Sequence, residues 1–447
     1  MRQTTRHRLA GVLAVAAIAL CGVLTCLLVG GIYAYGSVVF LLLLAKAVLA
    51  LASTAASAPT ADDRGALDRL RVGVAIPIYN EDPAMLAACL DSVLAQRRPV
   101  QSVVVVDDCS SDPAALSLAD SYTDRFAAVG IHLRTERHTV NVGKREGLID
   151  ALDAQPDIDL LLCVDSDTVL APDALDEALK PYSDPEVTVV TGLVLALNHR
   201  QNLLTRLTDL RYANAFLFER AAYSSLGSVL CACGSLAVYR ADIMRKYRDD
   251  FLTQEFLGQP AVFGDDRRQT NYGLLEGKAV FQPTAVAETL VPARLRHYIR
   301  QQIRWSKSFF RESLWAMRHL PKRQPGAWLS AVEVVTWLLM TGALAFALVR
   351  PLIPGVAAGP QEYLAYGVCL TLFAYARSIF CFDVPRAHRS RRRQAGSFLL
   401  APLYALLHVG LLIWLRCVAL CTLRRASWGT RATVEVTFDQ ASTALAA

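Results

Sequence analysis

Charge is scarce in this chain, and its opening has almost none. Only 19% of the 447 residues are charged, against 53% hydrophobic. That balance is too apolar for an ordinary soluble enzyme. No charged residue falls between Leu9 and Ala45, and after Lys46 the apolar run resumes to about Ala58. One membrane span takes roughly 20 apolar residues, so this stretch predicts two helices with a turn at Gly30-Gly31. Length argues against a cleaved signal peptide beginning at Arg2, Arg6 and Arg8, because the apolar cores of such peptides run to roughly 7–15 residues. Zinc-like spacing is also lacking. Cys231 and Cys233 form a C-x-C among 11 cysteines, but no second Cys or His pair follows at ligand spacing. Reduced cysteines in a cytosolic setting are expected.

The net charge of +6 is concentrated beside apolar segments, at Arg2–Arg8, Arg294–Arg323 and Arg386–Arg393. The positive-inside rule places all three clusters in the cytoplasm. Their juxtamembrane position points to membrane lipid as a partner and not to nucleic acid. The chain then divides into two N-terminal spans (1–58), a cytoplasmic catalytic domain (59–293), amphipathic interfacial helix (294–325), C-terminal spans (326–424) and a cytoplasmic tail (425–447). The interfacial segment interleaves nine Lys/Arg with Trp305, Phe309, Phe310 and Trp315, which suits a helix lying in the membrane surface. Spans are expected at about 328–349 and 363–382. The last apolar stretch, 398–423, carries Pro402 and Arg416, and either crosses once or forms a bent hairpin. The hairpin is preferred because it keeps the tail inside.

Between 59 and 293 the pattern is α/β. Val72–Ile76, Val103–Val106 and Leu160–Val164 are nearly all-apolar runs that end in polar residues. Such runs suit parallel strands buried on both faces. Asp82-Pro83 supplies a helix cap and a first-turn proline, followed by Leu86, Cys89, Leu90, Val93 and Leu94 at helical spacing. Alternating strand and helix predicts a doubly wound sheet, which binds ligands beyond the carboxyl ends of its strands. The acidic clusters fall there. Asp165-Ser166-Asp167 can hold one divalent cation against a nucleotide diphosphate, although an isolated D-x-D also serves as a helix cap. Asp107-Asp108 closes a neighbouring strand, so two acidic clusters converge on one crevice. In Gly264-Asp265-Asp266-Arg267 an adjacent carboxylate pair can act as a base toward a hydroxyl, or close a salt-bridged turn. Gln301-Gln302-Ile303-Arg304-Trp305 combines an amide, a guanidinium that can grip a diphosphate, and an indole face suited to a sugar ring.

PIYNED (77–82), VDDCSSD (106–112), VGKRE (142–146), DSD (165–167), GDDR (264–267) and QQIRW (301–305) stand in the order and spacing of processive family-2 glycosyltransferases, which the chain resembles over nearly its whole length. Within that group GDDRRQTN, RWSKSFFRE and the terminal WGTR (428–431) are similar to hyaluronan synthases. Nodulation-type chitooligosaccharide synthases share most motifs but typically read GEDR. The resemblance implies a nucleotide-sugar-binding domain of the glycosyltransferase-A type, fused to transmembrane and interfacial helices of a multi-pass plasma-membrane protein. It implies an inverting polymerase that takes UDP-GlcNAc and UDP-glucuronate, needs Mg²⁺ or Mn²⁺, and extends and exports a growing polysaccharide. A chitin-type enzyme using UDP-GlcNAc alone is the alternative. Residue by residue, it implies Tyr79, Glu81, Asp107, Lys144 and Arg145 at the donor, Asp165 at the nucleotide and metal, and Asp167 on the metal. Asp266 would be the general base, with Asp265 beside it. Arg304 and Arg431 would meet the diphosphate, and Trp305 would stack on the acceptor sugar. Gln301, Cys231, Gly234 and Ser235 would line the acceptor pocket. Three positions depart from the family: Ser235 stands where Pro is usual, Cys109 where Gly is common, and Gln269 where an apolar residue is usual.

Overall fold

The computed structural model describes residues 2–29, 34–56, 59–353 and 359–425. The turn expected at Gly30-Gly31 and the WGTR segment with Arg431 lie outside the described residues.

The three apolar runs form strands β1 (Val72–Ile78), β2 (Ser102–Asp107) and, after β3 (His132–Arg137), β4 (Leu160–Cys163). They are parallel: Val74 lies opposite Val103 on one side and Leu162 on the other, while β3 continues the parallel set beside β2. Every residue of β4 is buried, as expected for a strand covered on both faces. The helix Pro83–Leu94 starts as its cap predicts. Asp82 Oδ1 accepts the Ala84 N–H at 2.9 Å, and Leu86, Cys89, Leu90 and Val93 point into the core.

Beyond β4 the sheet departs from the doubly wound expectation. With β5 (Thr168–Leu170), β6 (Val187–Ala196), β7 (Ala237–Arg240) and β10 (Lys278–Thr289), its order is β3-β2-β1-β4-β7-β6-β10-β5. β7 runs antiparallel to both β4 and β6, and β5 runs antiparallel to β10. The sheet is therefore mixed. A hairpin of β8 (Glu255–Phe256) and β9 (Gln259–Pro260) stands apart from it.

A single helix, Leu295–His319, occupies the expected interfacial segment. It packs against the helix Asp265–Glu276 of the catalytic domain and against the apolar helices Pro325–Val349 and Ile413–Cys421. Among the described residues, three apolar stretches, Pro325–Leu352, Pro360–Asp383 and Ala401–Cys421, are long and apolar enough to cross a membrane. The last includes a wider π-type turn at His408–Leu412. The N-terminal helices Arg2–Val29 and Ala34–Ala52 pack on each other and on Pro360–Ser378. Phe40 meets Phe373 edge-on at 6.1 Å, and Gly22 leaves the space its ring occupies.

Candidate active site

The carboxyl ends of β1, β2 and β4 open on a cavity of about 1320 Å³. Of the residues singled out in the sequence, Tyr79, Lys144, Asp165, Asp167, Cys231, Ser235, Asp265, Asp266, Gln301, Arg304 and Trp305 line it. Glu81, Asp107, Arg145 and Gly234 are not among its described lining residues. Arg431 lies outside the described residues.

The loop after β1 is stitched to the loop after β2. Asn80 takes a left-handed backbone conformation at φ 50°. Its N–H donates to Ser110 Oγ at 2.8 Å, and its side-chain oxygen accepts the Ser111 N–H at 2.9 Å. Asp107 is fully buried and bound by Ser110 N–H at 3.1 Å and Arg137 at 3.2 Å. The acidic residue that reaches the cavity wall from this strand is Asp108, whose carboxylate accepts the Val142 and Gly143 N–H groups, each at 2.8 Å. Sequence reading passed over Asp108 in favour of its neighbour. Adjacent residues leaving a strand face opposite ways, and only the fold tells which one lines the cavity.

Lys144 begins the helix Lys144–Asp153 and pairs with Asp165. Burial alone would lower its pKa, but Asp165, Asp266 and Asp265 outweigh it and hold the ammonium well above the usual lysine range. Arg145, one position on, turns the other way. Its Nε lies 2.5 Å from Asp265 Oδ1, and its other nitrogens donate to the Phe251 and Phe263 carbonyls at 3.2 Å. The GDDR carboxylates therefore divide, with Asp265 tied to Arg145 and Asp266 facing Lys144 and Asp165. Burial first, then Asp165 and Asp265, push the Asp266 pKa up to about 6 against the pull of Lys144.

Gly234 shapes this cluster. A Cβ there would sit 2.7 Å from Asp266 Oδ1, 3.2 Å from Lys144 Nζ and 3.4 Å from Asp165 Oδ1. Its neighbour Ser235 donates to Asp165 Oδ2 at 3.0 Å, so the hydroxyl standing where the family usually has Pro holds the D-x-D. On the other carboxylate of that motif, Asp167 Oδ1 accepts from Thr289 Oγ1 at 3.0 Å. Burial raises the thiol pKa of Cys231, and that of Cys233 to about 12, so both stay protonated in the wall.

The interfacial helix serves two faces. Arg304 and Trp305 face the cavity, with the Tyr212 ring 6.4 Å from Trp305 and the Arg211 guanidinium 5.3 Å from its face. Its buried face carries Arg311 and Glu312. Glu312 takes Arg311 at 2.8 Å, Arg268 at 2.8 Å and Gln254 at 2.7 Å. Gly264, at φ 94°, lets the GDDR turn press against Ser308 and Arg311. Removing one partner of this buried network would strand a charge, at a cost of roughly 3–5 kcal/mol. The RWSKSFFRE motif thus joins a cavity-facing pair to the support of the GDDR turn.

Residues 70–308 match the family described as Glycosyltransferase like family 2. The chain belongs to this family. The glycosyltransferase is 39% identical over 366 residues to a hyaluronan synthase of Streptococcus pyogenes, covering 82% of this chain and 84% of that one. It is 34% identical over 363 residues to an N-acetylglucosaminyltransferase of Rhizobium meliloti, covering 80% and 81%. Among solved structures it is similar to the mannosyltransferase PcManGT from Pyrobaculum calidifontis in complex with GDP-Man and Mn2+. That likeness has a TM-score of 0.55 at 21% identity, covers 89% of this chain and 99% of that one, and bears on the fold alone. The fold is of the glycosyltransferase-A type, and its apolar helices associate the glycosyltransferase with membrane.

Proposed function

We propose that the chain polymerises UDP-GlcNAc and UDP-glucuronate into hyaluronan on the cytoplasmic face of the plasma membrane, and passes the product outward through its own helices. One observation carries this reading. The cavity lined by Asp165, Asp167 and Asp266 continues without a break to Glu333, Arg377, Tyr404, His408 and Arg416 of the apolar helices. A glycan extended at the carboxylates therefore enters the membrane-facing half directly. The guanidiniums of Arg211, Arg220, Arg377 and Arg416 along that half suit a polyanion better than a neutral chain.

In the reaction we propose, Asp266 takes the proton of an acceptor hydroxyl as that oxygen attacks C1 of the donor sugar. The C1–O bond to UDP breaks and the configuration at C1 inverts. The diphosphate leaves with its electron pair, and the positive charges of Lys144, Arg304 and Arg431 favour it as a leaving group. Tyr79 and the acidic end of β2 flank the nucleoside, while Glu81 and Arg145 support these walls from behind. Trp305, Gln301, Cys231 and Gly234 shape the acceptor side. Asp165 and Asp167 form a hard, all-oxygen set at the cavity wall, and Gly234 leaves space open beside Asp165. That set fits Mg²⁺ or Mn²⁺, which take one or two carboxylates together with substrate phosphates. A bound cation would supply positive charge against the diphosphate.

The test gives purified protein each donor separately and then both, with Mg²⁺ or Mn²⁺. High-molecular-weight product is expected only with both donors, and hyaluronidase should digest it. The likeness to the Rhizobium enzyme favours a second reading. Long polymer from UDP-GlcNAc alone, cleaved by chitinase, would overturn the hyaluronan assignment.

For topology, we infer that the tail returns to the catalytic side. Arg389, just before the last apolar stretch, is buried against the catalytic domain, at 2.8 Å from Asp209 and 2.7 Å from Glu288. At the other end, the Arg425 carbonyl accepts from Lys307 of the interfacial helix at 2.9 Å. A fluorescent-protein fusion after Ala447 should therefore fluoresce, and an alkaline phosphatase fusion there should be inactive. The reverse result would place the tail outside and remove Arg431 from the site.

A further inference from the structure

Behind the donor-facing loop lies a histidine held between two carboxylates. His138 Nδ1 is 3.0 Å from Asp108 Oδ1, and its Nε2 is 2.7 Å from Asp150 Oδ2. An ionised carboxylate only accepts hydrogen bonds, and a neutral imidazole has one N–H to give. Both contacts are made at once only when both ring nitrogens carry protons. Asp108 in turn receives the Val142 and Gly143 N–H groups, and its backbone carbonyl accepts the Asn141 side-chain N–H at 3.1 Å. Gly143 turns the chain at φ 107°, a conformation suited to glycine, and Lys144 follows at once to meet Asp165. Residues 141–144 all line the cavity.

We propose that His138 is a positioning residue: its imidazolium, gripped by Asp108 and Asp150, keeps Asp108 on the 142–143 backbone and so sets how tightly the crevice holds a nucleotide-sugar diphosphate. This rests on the donor-site reading above. The ring touches neither the reacting atoms nor the D-x-D carboxylates, and acts through Asp108 and the loop.

The charges around the ring fix the sign of its pH dependence. Asp108 faces it from the end of β2, while Asp150 and Glu146 face it from the helix Lys144–Asp153. Burial first, then Asp150, raises the Glu146 pKa, and Arg248 opposes the rise. Arg137, beside the ring in sequence, is turned to Asp107 and the Ser110 carbonyl. For His138, burial alone would lower the pKa, but the hydrogen bonds and charges of Asp108 and Asp150 outweigh it and raise it. The clamp is therefore complete at and below the ordinary histidine range of about 6.5. It is lost as pH rises through the raised value. Asp150 is part-exposed and can turn to water, whereas buried Asp108 then faces the diphosphate side without its cation.

Isothermal titration of UDP-GlcNAc in Mg²⁺ between pH 6.5 and 9 tests this, since that donor's diphosphate has no proton to lose in the range. In the unsubstituted protein Kd should rise about threefold to tenfold with pH, the span that one unit of coupled pKa shift allows. His138→Gln should bind with the weaker, alkaline Kd throughout and show no inflection. Asp150→Asn keeps the Asp108 contact but removes one carboxylate that holds the proton, so its inflection should move to lower pH. A His138→Gln profile that superimposes on the parent, or an unmoved inflection in Asp150→Asn, would overturn the clamp while leaving the donor site standing. No binding at any pH would remove the donor site and the clamp together.

Discussion

Asp266→Asn should cut polymer synthesis by at least about 10²-fold, the usual worth of a positioned base, while UDP-sugar binding persists. The asparagine keeps the shape and can still accept the Gly234 N–H that the carboxylate takes, but it cannot accept a proton from the acceptor. In the proposed site donor affinity rests on other groups, Lys144 and the D-x-D among them, so binding and turnover should separate. In the unsubstituted protein the base form grows as pH rises through the Asp266 value of about 6, and synthesis should rise with it. A bound divalent cation favours the carboxylate and moves that inflection lower. Stability runs the other way. The folded pKa lies above the unfolded carboxylate value, so the native state binds the extra proton in between and loses stability as pH climbs through that window. Asp266→Asn should therefore match or exceed the parent in Tm at neutral pH. Near-normal synthesis by the variant would remove Asp266 from the role of base.

What the sequence made legible follows from how local each signal is. β1, β2 and β4 could be read because a strand buried on both faces needs apolar residues throughout, whatever lies beside it. β6 is as apolar as they are, with all ten residues buried, but its parallel partner β10 begins at Lys278, and no local pattern announces that pairing. The mixed half of the sheet was hidden for this reason. The same limit applies to VGKRE and GDDR. Lys144 and Arg145 were both placed at the donor, and Asp265 beside the base Asp266, yet neighbouring residues on a helix point about 100° apart. Lys144 and Asp266 turn to the cavity cluster, while Arg145 leaves the wall to pair with Asp265 across 120 positions of chain, and Asp265 stays at the cavity wall. His138 belongs to no motif. Its meaning comes from Asp108 and Asp150, thirty positions before it and twelve after.

Gly234→Ala should give a folded protein that barely turns over, with synthesis down roughly 10²-fold, the loss that about 1 Å of misplacement in a catalytic group can cause. The added methyl would stand 2.7 Å from Asp266 Oδ1 and 3.2 Å from Lys144 Nζ. Both atoms are far ends of flexible side chains, so they can move aside without disturbing the backbone. Gly234 itself is not among the described residues with a left-handed backbone, so alanine brings no strain of its own. The clash therefore falls on chemistry: the carboxylate leaves the place where it meets the acceptor, and the ammonium leaves Asp165. Gly192→Ala makes the contrast. There the methyl would stand 2.2 Å from Leu236 Cδ2 and 2.5 Å from the Ala285 carbonyl oxygen, inside a strand with no room to yield. That variant should lose Tm and yield of folded protein, while the molecules that fold keep their rate. Thermal melts read beside UDP release separate the two effects. If Gly234→Ala turned over at the parent rate, the close approach of Asp266, Lys144 and Asp165 would not matter to the reaction. If it lost Tm in step with activity, the glycine would serve the fold instead of the site.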